Sequence, residues 1–345
     1  MNEITRIGMD TSKHVFQLHG VDGEEHVVLR RKLRRREVAK FFARLAPTVI
    51  GIEACGGSHH WARELGRLGH EVKLLAPQLV KPYVKRGKND AADAEAICEA
   101  MSRPTMRFVP AKSAEDQAAA MLFGQRERLL RERTRLSNTI RGYAAEFGMV
   151  APRGQCRIEP LLARIAAQES VPELARRQFA ELGAEYAELE VRVRQAERRL
   201  LAWQKENETC KRLKEIPGVG PIIAAALVMK LADPGAFGCG RQFAAWLGLT
   251  PKDHSTAGRQ RLGGITRAGD KQLRQLLVSG AMSVVQQAAR RPERASPWLR
   301  DLLARKPAKQ AAVALANRIA RIAWALMAHG GRYQASRGLH SAAAA

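Results

Sequence analysis

Four acids and one serine are the residues of this chain whose types and spacing could do chemistry. Asp10 closes the apolar run that starts at Ile4, and Glu53 closes another that starts at Thr48. Asp90 and Asp93 fall in the first turn of a helical pattern that Asn89 can cap; three residues apart on a helix, they point the same way. Strand ends and an adjacent helix start can bring all four to one sheet edge. Their mutual repulsion there would be relieved by a hard cation, and an oxygen-only ligand set suits Mg2+. Two such ions can stabilise both the attacking and the leaving oxygen of a phosphodiester exchange. Each acid alone also has a structural explanation. Asp10 could cap the turn at Thr11-Ser12, and Asp90 and Asp93 could simply favour a helix N-terminus. An acid placed directly after each of two apolar strands is harder to explain that way. Lys85, Arg86 and Lys88, beside the aspartates, would supply phosphate-binding charge.

The serine is Ser255, in the polar segment Lys252–Arg267 that follows the apolar stretch Phe243–Pro251. Serines in glycine-rich loops are usually exposed turn residues. This one is surrounded by Arg259, Arg261, Arg267 and Lys271, which could stabilise a pentavalent phosphate. Upstream, Ile216-Pro217-Gly218-Val219-Gly220-Pro221 has the look of the hairpin in a helix-hairpin-helix element. There, backbone N–H groups at Gly218 and Gly220 could approach phosphates without reading base sequence. An ordinary tight corner between two helices fits the same residues.

The elements that must position these groups fall into regions. Residues 1–112 read as α/β. A strand to Asp10 is followed by a hairpin turning at Val21-Asp22-Gly23, a helix over 36–45, and a strand over 48–53. A helix capped by Ser58, a strand over 71–76 and the helix after Asn89 complete the region. Residues 113–208 read as a helical, coiled-coil arm. Ser113 and Asp116 form a capping box, and Leu122, Leu129, Leu136 and Tyr143 recur seven apart. Phe179, Leu182, Tyr186, Leu189, Val193, Ala196, Leu200 and Trp203 form a second seam. That seam suits a helix lying on its own domain as well as it suits a dimer, and dimers could assemble further into a tetramer. Residues 209–335 read as mainly helical, and 336–345 as a disordered tail.

Composition narrows the partner. Lys and Arg number 58 against 34 Asp and Glu, a formal charge of +24, which a polyanion would neutralise. No apolar run approaches the roughly 20 residues of a membrane span, and MNEITRIGMD carries no signal-peptide pattern. Nucleic acid is therefore expected over an anionic membrane, in a cytoplasmic, nucleoid-associated protein. Five scattered cysteines, never in a CxxC pair, argue against zinc and disulfides. Aromatics at 5% argue against a base-stacking platform as the main binding device.

Four stretches together resemble a known family: IGMDTSKHVFQLHGVD, GIEACGGSHHW, the KNDAADAEA helix start, and the run from IPGVGP through RQFAAWLGLTPKDHS to GRQRLGGITRAGDKQLRQLL. The chain resembles transposases of the insertion-sequence-110 family, nearer to its insertion-sequence-1111 branch. The resemblance implies an RNase H-like (RuvC-type) N-terminal domain whose Asp-Glu-Asp-Asp set falls on Asp10, Glu53, Asp90 and Asp93. It also implies a C-terminal transposase domain with a catalytic serine ten residues before Ile265, which is Ser255. Where the branch reads His-Ser-Ser-Gly-Gly, this chain has His254-Ser255-Thr256-Ala257-Gly258, so the second hydroxyl is that of Thr256. The family resemblance further implies a non-coding guide RNA that pairs with donor and target DNA, leaving the protein to hold backbones. Two other functions fit the residues: a metal-only nuclease or junction resolvase, and a non-catalytic nucleic-acid-binding protein. A purely binding protein has no reason to keep four clustered acids.

Binding to nucleic acid is expected to weaken steeply from low to physiological salt, because each neutralised phosphate releases counterions. A flat affinity in filter-binding titrations would show that the charge serves something else.

Overall fold

The computed structural model describes residues 3–85, 89–231 and 233–334. The chain divides into two compact units, Met1–Gln117 with Ala232–Gly238, and Ala118–Leu231 with Cys239–Ala345. Arg86, Lys88 and the tail from 336 onward lie outside the described residues.

The first unit is built on one six-stranded sheet. In chain order its elements are β1 (Arg6–Thr11), β2 (Val15–Val21), β3 (Val27–Arg34), α1 (Arg35–Phe42), β4 (Val49–Glu53) and α2 (Ser58–Arg67). They continue with β5 (Glu71–Leu75), the short α3 (Pro77–Val80), α4 (Asp90–Met101) and β6 (Phe108–Val109). The strands lie in the order β3-β2-β1-β4-β5-β6. β1, β2 and β3 are antiparallel neighbours, and β1, β4 and β5 run parallel. Ile7, Met9, Phe16, Ile50, Ile52, Trp61 and Leu65 fill a core together with Val38 and Phe42 of α1. Side chains alternate across a strand, so the residues between these point to the other face, and α4 covers it.

That face carries glycine where α4 approaches. Gly8 and Gly51 are register partners on β1 and β4. A Cβ on Gly8 would lie 2.1 Å from the Ala94 carbonyl oxygen and 2.5 Å from the Cys98 nitrogen; one on Gly51 would lie 2.6 Å from Met101 Sδ. The helix backbone therefore rests almost directly on β1, while at Gly51 the Met101 and Ile97 side chains of the helix fill the space. The helix itself starts as expected, with the Asn89 side chain accepting from the Ala91 N–H at 3.0 Å. Ser58 does not cap α2. Gly57, with φ +89°, takes the cap position, and the Ser58 hydroxyl instead donates to the Cys55 carbonyl at 2.8 Å.

The second unit is mainly helical: α5 (Ala114–Glu146, which starts in the first unit), α6 (Ile158–Ala167), α7 (Glu173–Glu206), α8 (Glu208–Leu213), α9 (Pro221–Lys230) and α10 (Gly240–Trp246). A small hairpin of β7 (Pro251–Asp253) and β8 (Leu262–Ile265) precedes α11 (Lys271–Arg290), α12 (Pro297–Arg305) and α13 (Ala308–His329). The seam on α7 is used within the chain. Phe179, Tyr186, Leu189, Val193 and Ala196 pack with Leu129, Leu136, Ile140 and Ala144 of α5 and with Leu161 and Ile165 of α6. Arg126–Glu197 (2.7 Å) and Arg133–Glu190 (3.1 Å) bracket the pairing. Tyr143 is exposed, so the α5 seam is Leu129, Leu136, Ile140 and Ala144 rather than a strict seven-residue repeat. By length and composition α13 could cross a membrane, contrary to the expectation that no such run exists. Its alanines at 311, 312, 316, 320 and 323 are buried in the helical unit.

Adding one methyl group at Gly8 must push α4 off the sheet. Gly8→Ala is expected to lower stability by about 2–3 kcal/mol, as overpacking does. A smaller fall in the urea midpoint than Gly66→Ala causes, a helix position with open space around it, would refute this packing account.

Candidate active site

The Gly-x-acid spacing of β1 and β4 decides where the carboxylates go. Asp10 lies two residues after Gly8 and Glu53 two after Gly51, so each acid shares the α4-facing side of its strand. The first turn of α4 brings Asp90 and Asp93 to the same place. Ligand oxygens of Asp10, Asp90 and Asp93 all lie within 4.8 Å of one another. Two oxygens on opposite sides of one Mg2+ are about 4.2 Å apart, from bonds of ~2.1 Å. Glu53 stands outside this tight trio but within its field. Burial pushes the Asp10 carboxyl up to about 6, and the charges of Asp93, Asp90 and Glu53 push the same way. Burial, then Asp93, also raises Glu53. A half-buried carboxylate held next to three others is a group that a cation would stabilise.

Lys85, expected to wait for phosphate, forms an ion pair with Glu95 of α4 and holds that carboxyl below its usual range. A more open source of positive charge lies at the sheet edge, where sequence reasoning did not look. Arg30, Arg31, Lys32, Arg34, Arg35 and Arg36 cover β3 and the start of α1, and most are exposed. The run was visible in the sequence, but only the topology makes β3 an edge strand.

Ser255 lies just beyond β7, in the loop of the β7–β8 hairpin. The Asp253 carboxylate accepts from the Ser255 backbone N–H at 2.8 Å and from the Ser255 hydroxyl. The Arg261 N–H donates to Ser255 Oγ at 3.1 Å. These hydrogen bonds hold the Asp253 carboxyl below its usual range. Thr256 pairs through its backbone with Arg259, and Ala257 and Gly258 turn the chain with positive φ. Arg259, Arg261, Arg267 and Lys271 all lie on or beside this hairpin, with no ion-pair partner among the described residues.

The hairpin base is clamped from below. Buried Arg274 donates to the Leu247 and Ala268 carbonyls at 2.8 and 2.6 Å. Thr266 and Arg267 donate back to Thr250 and Gly248. Gly269 lies so close to Trp246 that a Cβ would meet its carbonyl at 1.9 Å. Asp253 and Arg274 were both missed in the sequence. The Asp-x-Ser spacing was the available signal for the first, whereas nothing local marks Arg274 as a buried clamp. Gly218, with φ +91°, packs against Gly280 of α11 and Ile319 of α13, while Gly220 is exposed at the start of α9.

Comparison with known proteins finds relatives along both parts of the chain. A model described as the transposase IS116/IS110/IS902 family covers residues 210–303, and a second, described as a transposase, covers residues 7–147. The chain is 62% identical over 98% of its length to a Sinorhizobium fredii protein named as a transposase, y4pF/y4sB, spanning 88% of that protein. It is 39% identical to the transposase for insertion sequence element IS1111A of Coxiella burnetii, over 95% of this chain and 90% of that one. It is also 38% identical to the transposase for insertion sequence element IS1328 of Yersinia enterocolitica, over 96% and 98%. The chain belongs to the IS116/IS110/IS902 transposase family. It is thus a DNA transposase, and the acid cluster fits the use of a divalent metal by this class of enzyme.

Because folding raises the Asp10 pKa, that group stabilises the metal-free transposase at low pH, and the contribution is lost as pH rises through about 6. Without metal at about pH 7.5, Asp10→Asn is expected to gain about 1 kcal/mol of stability, after allowing for solvent screening. It should gain nothing at about pH 4, and it should lose any stabilisation that Mg2+ gives the parent. Melting curves in chelator and in MgCl2 read all three effects; equal Mg2+ stabilisation of both proteins would remove Asp10 from the metal site.

Proposed function

We propose that this transposase cuts and rejoins DNA through a phosphoserine link at Ser255, with Mg2+ held by Asp10, Asp90 and Asp93 and with Glu53 completing the set. The observation that carries the metal half is the trio of aspartate oxygens within 4.8 Å of one another, all on one face of the sheet. Bound there, Mg2+ would neutralise charge on the scissile phosphate. We read the sheet as RNase H-like; the antiparallel meander β3-β2-β1, continued by parallel β4 and β5, supports this.

Asp253 holds the Ser255 hydroxyl and takes its proton as Oγ attacks phosphorus. The bond to one DNA strand breaks as the Oγ–P bond forms, and the departing strand oxygen is protonated by water. Rejoining reverses these steps with a new strand hydroxyl, so the bond energy is kept and no nucleotide cofactor is needed. Arg259, Arg261, Arg267 and Lys271 neutralise the phosphate as negative charge builds on it. Thr256, whose backbone pairs across the hairpin, restrains the loop rather than attacking. Lys85, Arg86, Lys88, Gly218 and Gly220 contact phosphate backbone outside the reacting centre.

We further propose that a non-coding RNA supplies sequence choice and that the protein assembles as a homo-oligomer on donor and target DNA, at the nucleoid. A charge of +24 with 5% aromatic residues supports backbone holding over base reading. The α7 seam does not supply the oligomer contact, since α5 and α6 cover it. The names of the relatives, which refer to insertion sequence elements, support a mobile-element role for this chain.

Ser255→Ala should bind DNA and Mg2+ normally yet form no covalent protein–DNA adduct on a denaturing gel. Thr256→Ala should keep most of the adduct. Asp90→Ala and Asp93→Ala should lose recombination by at least about 100-fold with the fold intact. An active Ser255→Ala beside dead acid variants would leave a metal-only nuclease as the better reading.

A further inference from the structure

The helical unit contains two cavities that meet. One, of about 950 Å3, begins at Pro217 and Gly218 of the glycine hairpin and runs between α11 and α13. The other, of about 860 Å3, runs along α13 to Pro251 of β7 and Ile265 of β8, the strands that carry the serine hairpin. Trp298, Arg318, Ile322 and Tyr333 line both, so the two form one groove. Each half is of ligand size, with room for individual nucleotides rather than for a double helix.

The lining is one-sided in charge. Arg290, Arg291, Arg294 and Arg318 border the first cavity, and Arg318 and Arg321 the second, whereas no carboxylate lines either among the described residues. Arg318 is part-buried, with no ion-pair partner among the described residues; its guanidinium lies 4.7 Å from the centre of the Trp298 ring. Burial accordingly pushes it below the usual arginine range. A part-buried cation beside an aromatic face, with Arg321 rather than a carboxylate as its charged neighbour, is placed for an anion and a flat ring together.

We propose that this groove holds unpaired nucleotides of the DNA strand that reacts at Ser255, with a base stacked against the Trp298–Arg318 pair and phosphates on Arg290, Arg291 and Arg294. DNA is assigned because the groove ends at the strands bearing Ser255, where only the strand to be cut has to go; this assignment rests on the serine reading above. It adds to the chain the one kind of stacking contact that its low aromatic content had argued against.

The test is fluorescence anisotropy with the full chain in chelator, using a labelled oligothymidylate of roughly 12 nucleotides, a duplex of equal length and an oligouridylate. Trp298→Ala and the triple variant Arg290→Ala/Arg291→Ala/Arg294→Ala are expected to lose about tenfold in single-strand affinity. Trp298→Phe should stay within about threefold of the parent, since a phenyl ring still stacks. Duplex binding should change by less than about twofold with Trp298→Ala. The arginines are exposed, so the triple variant decides the matter if Trp298→Ala melts early. Unchanged single-strand affinity, or an equal loss on duplex, would overturn the proposal, and a larger loss on oligouridylate would give the groove to RNA. Ser255→Ala should bind the oligothymidylate like the parent. Its failure to form an adduct concerns the nucleophile alone, just as lost strand affinity concerns the groove alone.

Discussion

Helix α4 lies on the sheet with almost nothing between the two backbones, and the acid site depends on that contact. Side-chain bulk at Gly8 would meet the helix backbone and lift it, whereas at Gly51 it would first displace the Met101 side chain. Asp90 and Asp93 would then rise away from Asp10. Protein interiors are close-packed and respond to such a change by shifting whole elements rather than compressing. The glycines are thus part of the site although neither can touch a metal or a phosphate. The same logic applies twice in the second unit, where Gly218 meets Gly280 and Gly269 meets Trp246. At each place a missing side chain lets two elements approach backbone to backbone.

Electrostatic strain is the counterpart of this packing. Four carboxylates at one sheet edge repel one another when no cation is present, and burial, followed by the charges of Asp93, Asp90 and Glu53, raises the Asp10 pKa. Elsewhere the imbalance has the opposite sign. The basic edge strand β3, the arginines around Ser255 and the lined groove concentrate positive charge. In a chain with an excess of 24 positive charges, the acid cluster attracts cations and the arginine-rich regions attract anions.

The Ser255 hairpin is anchored firmly at its base and open at its tip. Arg274, the Gly248 and Thr250 carbonyls and the Gly269 contact hold the base. The tip carries Ser255, Thr256 and two cationic side chains into solvent. Such an arrangement leaves the Ser255 hydroxyl within reach of a substrate as large as DNA. Asp253 then does locally what a buried pocket does in a small-molecule enzyme, fixing one hydroxyl with one carboxylate.

Much of this was legible in the sequence, because the signals were local. Apolar runs reaching Asp10 and Glu53, the Asn89 cap and the turn after Val21 depend on neighbours a few residues away and appear close to where expected. Ser113 accepts from the Asp116 N–H but donates its hydroxyl, not its backbone N–H, to the Asp116 carboxylate. The family resemblance reached further, since its motifs span both units. The sequence could not say that α7 would spend its seam on α5 and α6, because a heptad face fits any apolar partner. Nor could it show that Tyr143 would be left outside, that Arg274 would be buried beneath the hairpin, or that β3 would be an edge. Those outcomes depend on pairings between residues tens or hundreds of positions apart. The acids themselves show the division most plainly. Local pattern singled them out, but the meeting of Asp10, Asp90 and Asp93 within 4.8 Å was decided by a helix resting on Gly8, a contact that only the folded chain contains.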